Sequence, residues 1–196
     1  MTAMRVLVIF AHPVETSYQA ALHKVVVETL RAAGHQVDDC DLYAEAFNPV
    51  MSREERLNYH DEGMCTKPVQ SYVDRVRNAE ALVLNFPVWN YGYPAIMKGF
   101  FDRVFLPGVS FQLKNGVLTP NLFNIRKLGA VVTYGGDRWR TFLMGDAPRK
   151  VVKRAVRGVI HPLARTRYIA LHDINRASDA ARARFLERVA AEMSRF

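Results

Sequence analysis

Hydrophobic residues fall along this chain in two alternating patterns. Met4–Phe10, Ala81–Leu84 and Leu128–Tyr134 are apolar at almost every position and have strand length, as expected of strands buried on both faces. His35–Leu42 alternates and turns acidic at Asp38, Asp39 and Asp41, which reads as a second, more exposed strand, and Arg167–Leu171 reads as a fifth. Between these runs the apolar period lengthens to that of a helix. Helices are predicted over Tyr18–Ala33, stopped by Gly34; over a short segment within Pro68–Asn78; after Pro94, on Ile96, Met97, Phe100, Phe101 and Val104; over most of Thr141–Arg157, with Gly145 and Pro148 interrupting early; and over Ser178–Arg195, with Ser178 as cap. Ser52-Arg53-Glu54-Glu55 reads as a capping-box helix start in an otherwise irregular stretch. Asn115-Gly116 predicts a tight turn in a small hairpin over Ser110–Leu118, outside the main sheet.

Strands alternating with helices predict a doubly wound α/β sandwich: five parallel strands, helices on both faces, one domain over residues 1–196. In the strand order 2-1-3-4-5, strands 1, 3 and 4 are neighbours and the switch point lies between 1 and 3. Three segments at carboxyl strand ends then converge on one crevice: His12–Ser17, Phe86–Pro94 and Thr133–Gly136. The first ends in hydroxyls at a helix start, where free N–H groups favour an anion. The second is dense in flat side chains, Trp89, Tyr91 and Tyr93 among them. The third carries adjacent glycines, which let backbone approach a ligand. Each has a plainer reading too: helix capping, cover for a core edge, and an ordinary turn. Neither G-x-G-x-x-G nor a P-loop is present. The convergence of the three segments favours a phosphate on the first helix and a flat ring system along the aromatic loop.

Composition narrows this little, but charge adds something. The apolar share is 49% and the charged share 23%, the mix of a globular chain with a substantial core. No apolar run is long enough to span a membrane, and no secretory signal is read at the start, so cytoplasmic residence is expected and membrane insertion is not. Cys40 and Cys65 make neither a disulfide framework nor a metal spacing, and no metal site is expected at the six histidines. Residues 1–120 hold 11 basic and 13 acidic residues; residues 121–196 hold 16 and 6. Much of that basic excess reads as the outward faces of amphipathic helices, and no nucleic-acid module accompanies it, so no nucleic-acid partner is expected.

Several motifs occur together and in order: Ala11-His12-Pro13 with Thr16-Ser17-Tyr18-Gln19; Asp41-Leu42-Tyr43 with Phe47-Asn48-Pro49; Phe86-Pro87, Gly92 and the run Pro94-Ala95-Ile96-Met97-Lys98-Gly99-Phe100-Phe101-Asp102-Arg103-Val104-Phe105; and Thr133 with Gly135-Gly136. In these the chain resembles the flavodoxin-2 group of flavoproteins, which includes the NAD(P)H:quinone oxidoreductases of DT-diaphorase type and their short bacterial relatives. The resemblance implies a flavodoxin-like fold and a tightly bound flavin, FAD with FMN as the alternative. It implies two-electron reduction of quinones or similar flat electrophiles by NAD(P)H, with hydride transfer through flavin N5, and a homodimer with each active site at the subunit boundary. Carried over by position, His12, Thr16, Ser17, Tyr18 and Gln19 would line the phosphate and ribityl part. Pro87, Val88, Trp89, Asn90 and Tyr91 would lie along the ring system. Thr133, Tyr134, Gly135 and Gly136 would donate backbone N–H groups to its polar edge, where donors stabilise the anionic reduced form.

The chain departs from the pattern after Gly136. The mammalian members carry a Tyr and a His there that assist hydride transfer; here Asp137–Asp146 contains neither, so that pair has no counterpart in the segment. Arg138 and Arg140 are instead expected to meet a nicotinamide phosphate or an acidic substrate. A second resemblance, to flavin-binding regulatory subunits of membrane potassium-efflux systems, gives an alternative function in which the basic half would be a contact face.

Overall fold

Strands form where aliphatic and β-branched residues concentrate, and helices where they thin to one face. The computed structural model describes residues 2–196. In chain order it contains β1 (Arg5–Phe10), α1 (Tyr18–Ala32), β2 (Gln36–Asp41), α2 (Arg53–Leu57), α3 (Gln70–Asn78), β3 (Ala81–Val88), α4 (Ala95–Val104), β4 (Phe111–Lys114), β5 (Val117–Pro120), β6 (Lys127–Tyr134), α5 (Arg138–Leu143), α6 (Ala147–Lys150), α7 (Arg157–Val159), β7 (Arg165–Leu171) and α8 (Asp179–Met193). A π-helical stretch, Val151–Val156, joins α6 to α7.

The five long strands pair in parallel in the order β2-β1-β3-β6-β7, which is the anticipated 2-1-3-4-5. Side-chain alternation along each strand splits the core in two. Leu7, Ile9, Leu82, Leu84, Leu128, Ala130 and Val132 share one apolar cluster with Val73, Val76, Met97, Phe100 and Val104 from α3 and α4. Val6, Val8, Ala81, Val83, Val131 and Ile169 share the other with Leu22, Val26, Leu30, Phe185 and Val189 from α1 and α8. The central strands are covered on both sides, which is why they read as unbroken apolar runs. The hairpin β4–β5 stands apart, turning at Asn115 (φ 53°) and Gly116 (φ 77°), and its second strand runs two residues beyond the expected end.

Two elements differ from the sequence reading. β3 continues through Phe86 and Pro87 to Val88, so these belong to the strand and not to the following loop. A proline is tolerated there for a local reason. Asn85 turns its carbonyl toward β1, accepting from Ala11 N–H; by alternation position 87 faces that same side, where the pairing with β1 has already ended. The helix expected over most of Thr141–Arg157 is interrupted at Gly145, as its sequence indicates, but not at Pro148, which lies in the first turn of α6. Gly145 (φ 82°) and Asp146 (φ 44°) are both left-handed and break the chain between α5 and α6; α5 begins earlier than expected because Asp137 caps it, accepting from Arg140 N–H at 2.8 Å.

The run around α4 is tied down by close packing and by one ion pair. A Cβ on Gly99 would run into the Pro49 backbone and ring, so only glycine lets this helix lie against the Phe47–Val50 segment. We expect Gly99→Ala to cost about 1–3 kcal/mol, read as a lower urea midpoint with an unchanged slope. Arg103 and Glu55, both largely buried, pair at 2.5 Å, and Glu55 also completes the capping box by accepting from Ser52 N–H at 2.7 Å. Burial works to raise the Glu55 carboxyl, but the Ser52 N–H and Arg103 outweigh it and hold it below its ordinary value. A carboxyl lowered on folding adds stability above its unfolded pKa and loses it as pH falls through the folded one. The stability gap between the wild type and Glu55→Gln should therefore narrow on acidification through the carboxylate range, measured by denaturant titration at stepped pH.

Candidate active site

The three strand-end segments meet, and the contacts between them can be followed one by one. After β1 the chain makes a short loop in which Val14 N–H donates to His12 Nδ1 at 3.1 Å and Ser17 N–H to the Val14 carbonyl at 3.2 Å. Ser17 then caps α1, accepting from Ala20 N–H at 3.1 Å. The preceding first-turn N–H groups, of Tyr18 and Gln19, have no helical acceptor and lie at the positive end of a 15-residue helix. The His12 ring stands edge-on to Trp89, 5.8 Å between centroids.

Trp89 and Gly92 exchange backbone hydrogen bonds of 3.2 and 2.8 Å across a tight turn. Its central residues Asn90 (φ 49°) and Tyr91 (φ 58°) are both left-handed, a type I′ turn without glycine at either position. Asparagine tolerates this conformation; for tyrosine it costs on the order of 1 kcal/mol. The turn leaves Trp89 and Tyr91 partly exposed. It also brings Tyr91 against the Gly-Gly turn, since a Cβ on Gly136 would sit 3.7 Å from Tyr91 Cε1. Among the described residues the Gly135 and Gly136 N–H groups meet no acceptor, while the carbonyls of Tyr134 and Gly136 are taken by Ile174 and Asp173 N–H at 3.0 Å each. A pair of unsatisfied donors thus lies beside a partly exposed aromatic turn.

Not every anticipated side chain points this way. Tyr18 turns off to α8 and donates to the Arg182 carbonyl at 2.8 Å; burial pushes its phenol up to about 12. Gln19 is buried: its amide donates to Asn85 Oδ1 and, at 3.2 Å, to the Val131 carbonyl, and its oxygen accepts from Thr133 Oγ1 at 2.7 Å. These two can offer only backbone to a ligand, because the inward side of α1 must pack on the sheet. Tyr134 is likewise turned into the core. His12, Thr16, Ser17, Trp89, Asn90, Tyr91, Gly135 and Gly136 remain at the crevice. Arg138 and Arg140 are exposed on α5, with Arg140 3.5 Å from Asp137. Asn85 was missed by sequence reasoning, although a lone polar residue inside the run Leu82-Val83-Leu84-Asn85-Phe86 was the available signal; its Nδ2 is buried without a partner.

A cleft of about 760 Å³ lies elsewhere, at the amino ends of β1 and β2, and its Arg75 is already paired with Asp38 at 2.7 Å and Glu45 at 2.8 Å. A smaller one of about 410 Å³ adjoins His12, with Phe10, His23, Asp41 and Tyr43. Among the described residues no cluster of three or more His, Cys, Asp or Glu is placed to hold a metal, and no helix is long and apolar enough to cross a membrane.

We expect Gln19→Met, similar in volume, to destabilise the fold by about 1–3 kcal/mol, because Asn85 and Thr133 would lose their buried partner; thermal unfolding measures this.

Comparison with known proteins places these features in context. A family model described as a flavodoxin-like fold, flavodoxin-2, matches residues 4–193. An uncharacterized NAD(P)H oxidoreductase of Haemophilus influenzae is 32% identical over 142 residues, covering 71% of this chain and 69% of that protein. Rat NAD(P)H dehydrogenase [quinone] 1 is 31% identical over 153 residues, covering 70% of this chain but only 56% of its own length. Among solved structures, the NAD(P)H:quinone oxidoreductase of Methanothermobacter marburgensis superposes with a TM-score of 0.85 at 24% identity, covering 98% of both chains.

Proposed function

The chain belongs to the flavodoxin-2 family of flavodoxin-like folds, and from that premise we propose that it is a flavin-dependent NAD(P)H oxidoreductase acting on quinones or similar flat electrophiles. The observation that carries this reading is the contact chain His12–Trp89 and Tyr91–Gly136, which joins three strand ends into one crevice with free N–H donors at both ends.

The residues fit a flavin. The start of α1, with the Thr16 and Ser17 hydroxyls and the Tyr18 and Gln19 N–H groups, suits a phosphate. Trp89, Asn90 and Tyr91 offer a partly exposed wall for a flat ring system. The Gly135 and Gly136 N–H groups suit its polar, electron-accepting edge, where they would favour the reduced anion without reorganising. Bound there, a flavin supplies the two-electron carrier between reduced nicotinamide and acceptor. The protein's part is to orient the ring, leave one face open and stabilise negative charge. Arg138 and Arg140, beside the Gly-Gly turn, would meet the phosphate of NADPH or an acidic acceptor.

We further propose a homodimer with the crevice at the subunit boundary, working in the cytoplasm. Leu113, Val117 and Leu118 on the hairpin and Trp139, Phe142, Leu143 and Met144 around α5 are exposed apolar residues of the kind a second copy would cover. Both cysteines are free and buried, as suits a reducing compartment.

The purified protein should release FAD or FMN on heating, and should couple NADPH or NADH oxidation to reduction of a soluble quinone. A protein that neither carries nor takes up a flavin would overturn the reading. A flavoprotein without turnover would favour the regulatory role instead. Replacing Arg138 and Arg140 together by Ala should raise the KM for NADPH several-fold more than that for NADH; equal, unaltered values would remove the arginines from the site.

A further inference from the structure

Behind the Gly135–Gly136 turn lies a set of polar groups that nothing above uses. Tyr134, only 1% exposed, donates its hydroxyl to Asp146 Oδ1 at 2.7 Å. Its oxygen also lies 2.5 Å from the Tyr168 hydroxyl. A phenol has one proton, and Tyr134's is spent on the carboxylate, so Tyr168 must be the donor in that second bond. The result is a directed chain, Tyr168 to Tyr134 to Asp146, in which each bond polarises the next. The His172 ring stacks on Tyr134 at 4.4 Å, and the Arg149 guanidinium lies 5.8 Å from the Tyr168 ring centroid.

The chain ends on an unusual residue. Asp146 is left-handed, and it is the point where α5 stops and α6 begins. Its N–H donates to the Thr141 carbonyl at 3.1 Å, and its own carbonyl accepts from Lys150 N–H at 3.1 Å. Two residues further, the Tyr93 hydroxyl, from the aromatic loop, donates to the Pro148 carbonyl at 2.7 Å. So the aromatic loop, the last residue of β6 and the hinge between α5 and α6 are joined by hydroxyl hydrogen bonds directly behind the two free N–H groups. Burial is the main force holding all three phenols in the protonated, donating form across the working pH range.

We infer that Tyr168, Tyr134 and Asp146 are positioning residues that set the aim of the Gly135 and Gly136 N–H donors, and so tune how strongly the site favours the reduced over the oxidised flavin. The inference rests on the flavin reading above and adds to it the device that fixes the donors. Tyr134 immediately precedes Gly135, so the hydrogen bond to Asp146 pins the strand end from which the glycine turn springs. The glycines have no side chains of their own with which to hold that turn. Losing the tether would leave the turn held only by the Asp173 and Ile174 N–H bonds to its carbonyls, on one side, and donors that can adjust stabilise a developing charge less well than fixed ones.

The test is the two-electron midpoint potential of the bound flavin, measured by equilibrium dye titration on the holoprotein. Tyr134→Phe and Tyr168→Phe keep the rings and remove one hydroxyl each. Both should still bind oxidised flavin at wild-type stoichiometry. Tyr134→Phe should weaken the preference for reduced flavin about tenfold, a fall of about 30 mV for a two-electron couple. Tyr168→Phe, which removes only the outer bond, should shift the potential the same way and by less. Asp146→Asn keeps a left-handed-tolerant residue with an acceptor oxygen and should fall between the wild type and Asp146→Ala. A lowered melting temperature with the potential unchanged in both Phe variants would overturn the inference and leave the chain a packing feature. Should Tyr134→Phe fail to fold, an unchanged potential in Tyr168→Phe alone would be decisive against it. Failure of the wild type to take up flavin would instead count against the parent reading.

Discussion

One buried amide connects the parts of this molecule that must stay in register. Gln19 lies in the first turn of α1 and reaches between β3 and β6, giving hydrogen bonds to Asn85 and the Val131 carbonyl and taking one from Thr133. Those three elements are the ones whose ends form the crevice. A helix can slide or rotate on an apolar sheet face at little cost, because hydrophobic contact is not directional. An amide satisfied on both its nitrogen and its oxygen cannot, since any slip strands polar groups in a dry interior. The free N–H groups at the start of α1 are thereby held at a fixed height relative to the glycine turn after β6.

The rest of the site spends stability on shape. Two consecutive left-handed residues, Asn90 and Tyr91, lie at the crevice, and a third, Asp146, lies behind it and is tied to Tyr134. Such conformations persist only where neighbouring structure enforces them. Here the Trp89–Gly92 bonds enforce the first two, and the Thr141, Lys150 and Tyr134 bonds the third. The parallel sheet supplies the stiffness, with its central strands buried on both faces by two separate apolar clusters. Conformational strain at the carboxyl edge is then carried by a sheet whose strands hold no left-handed residue among the described residues.

Much of the fold could be read from the sequence because hydrophobic period reports burial directly. The unbroken runs of β1, β3 and β6 gave their places at the sheet centre, and Ser17, Ser52 and Ser178 marked three helix starts by cap chemistry. What escaped was decided by tertiary geometry. The end of β3 at Val88 depended on where β1 stops, which no local pattern contains. Gly145 marked the break between α5 and α6, but the left-handed aspartate that follows it is held by a tyrosine twelve residues earlier, which no local pattern contains. At the site, backbone donors and the aromatic wall were anticipated, but the directions of Tyr18 and Gln19 were not. Both lie on the first turn of a helix whose inward face is fixed by packing on β3, β6 and α8. The Tyr168–Tyr134–Asp146 chain was invisible for the same reason: its members lie on β7, at the end of β6 and in the break between α5 and α6, and only the sheet brings them together.

If three strand ends make one flavin site, amide chemical-shift mapping on isotopically labelled protein, freed of flavin and titrated with FAD or FMN, will register all three at once. The resonances of Thr16–Gln19, Trp89–Tyr91 and Gly135–Gly136 should move together and saturate at one flavin per chain. Shifts confined to the cleft around Phe10, Asp41 and Tyr43, or no saturable shifts at all, would contradict it.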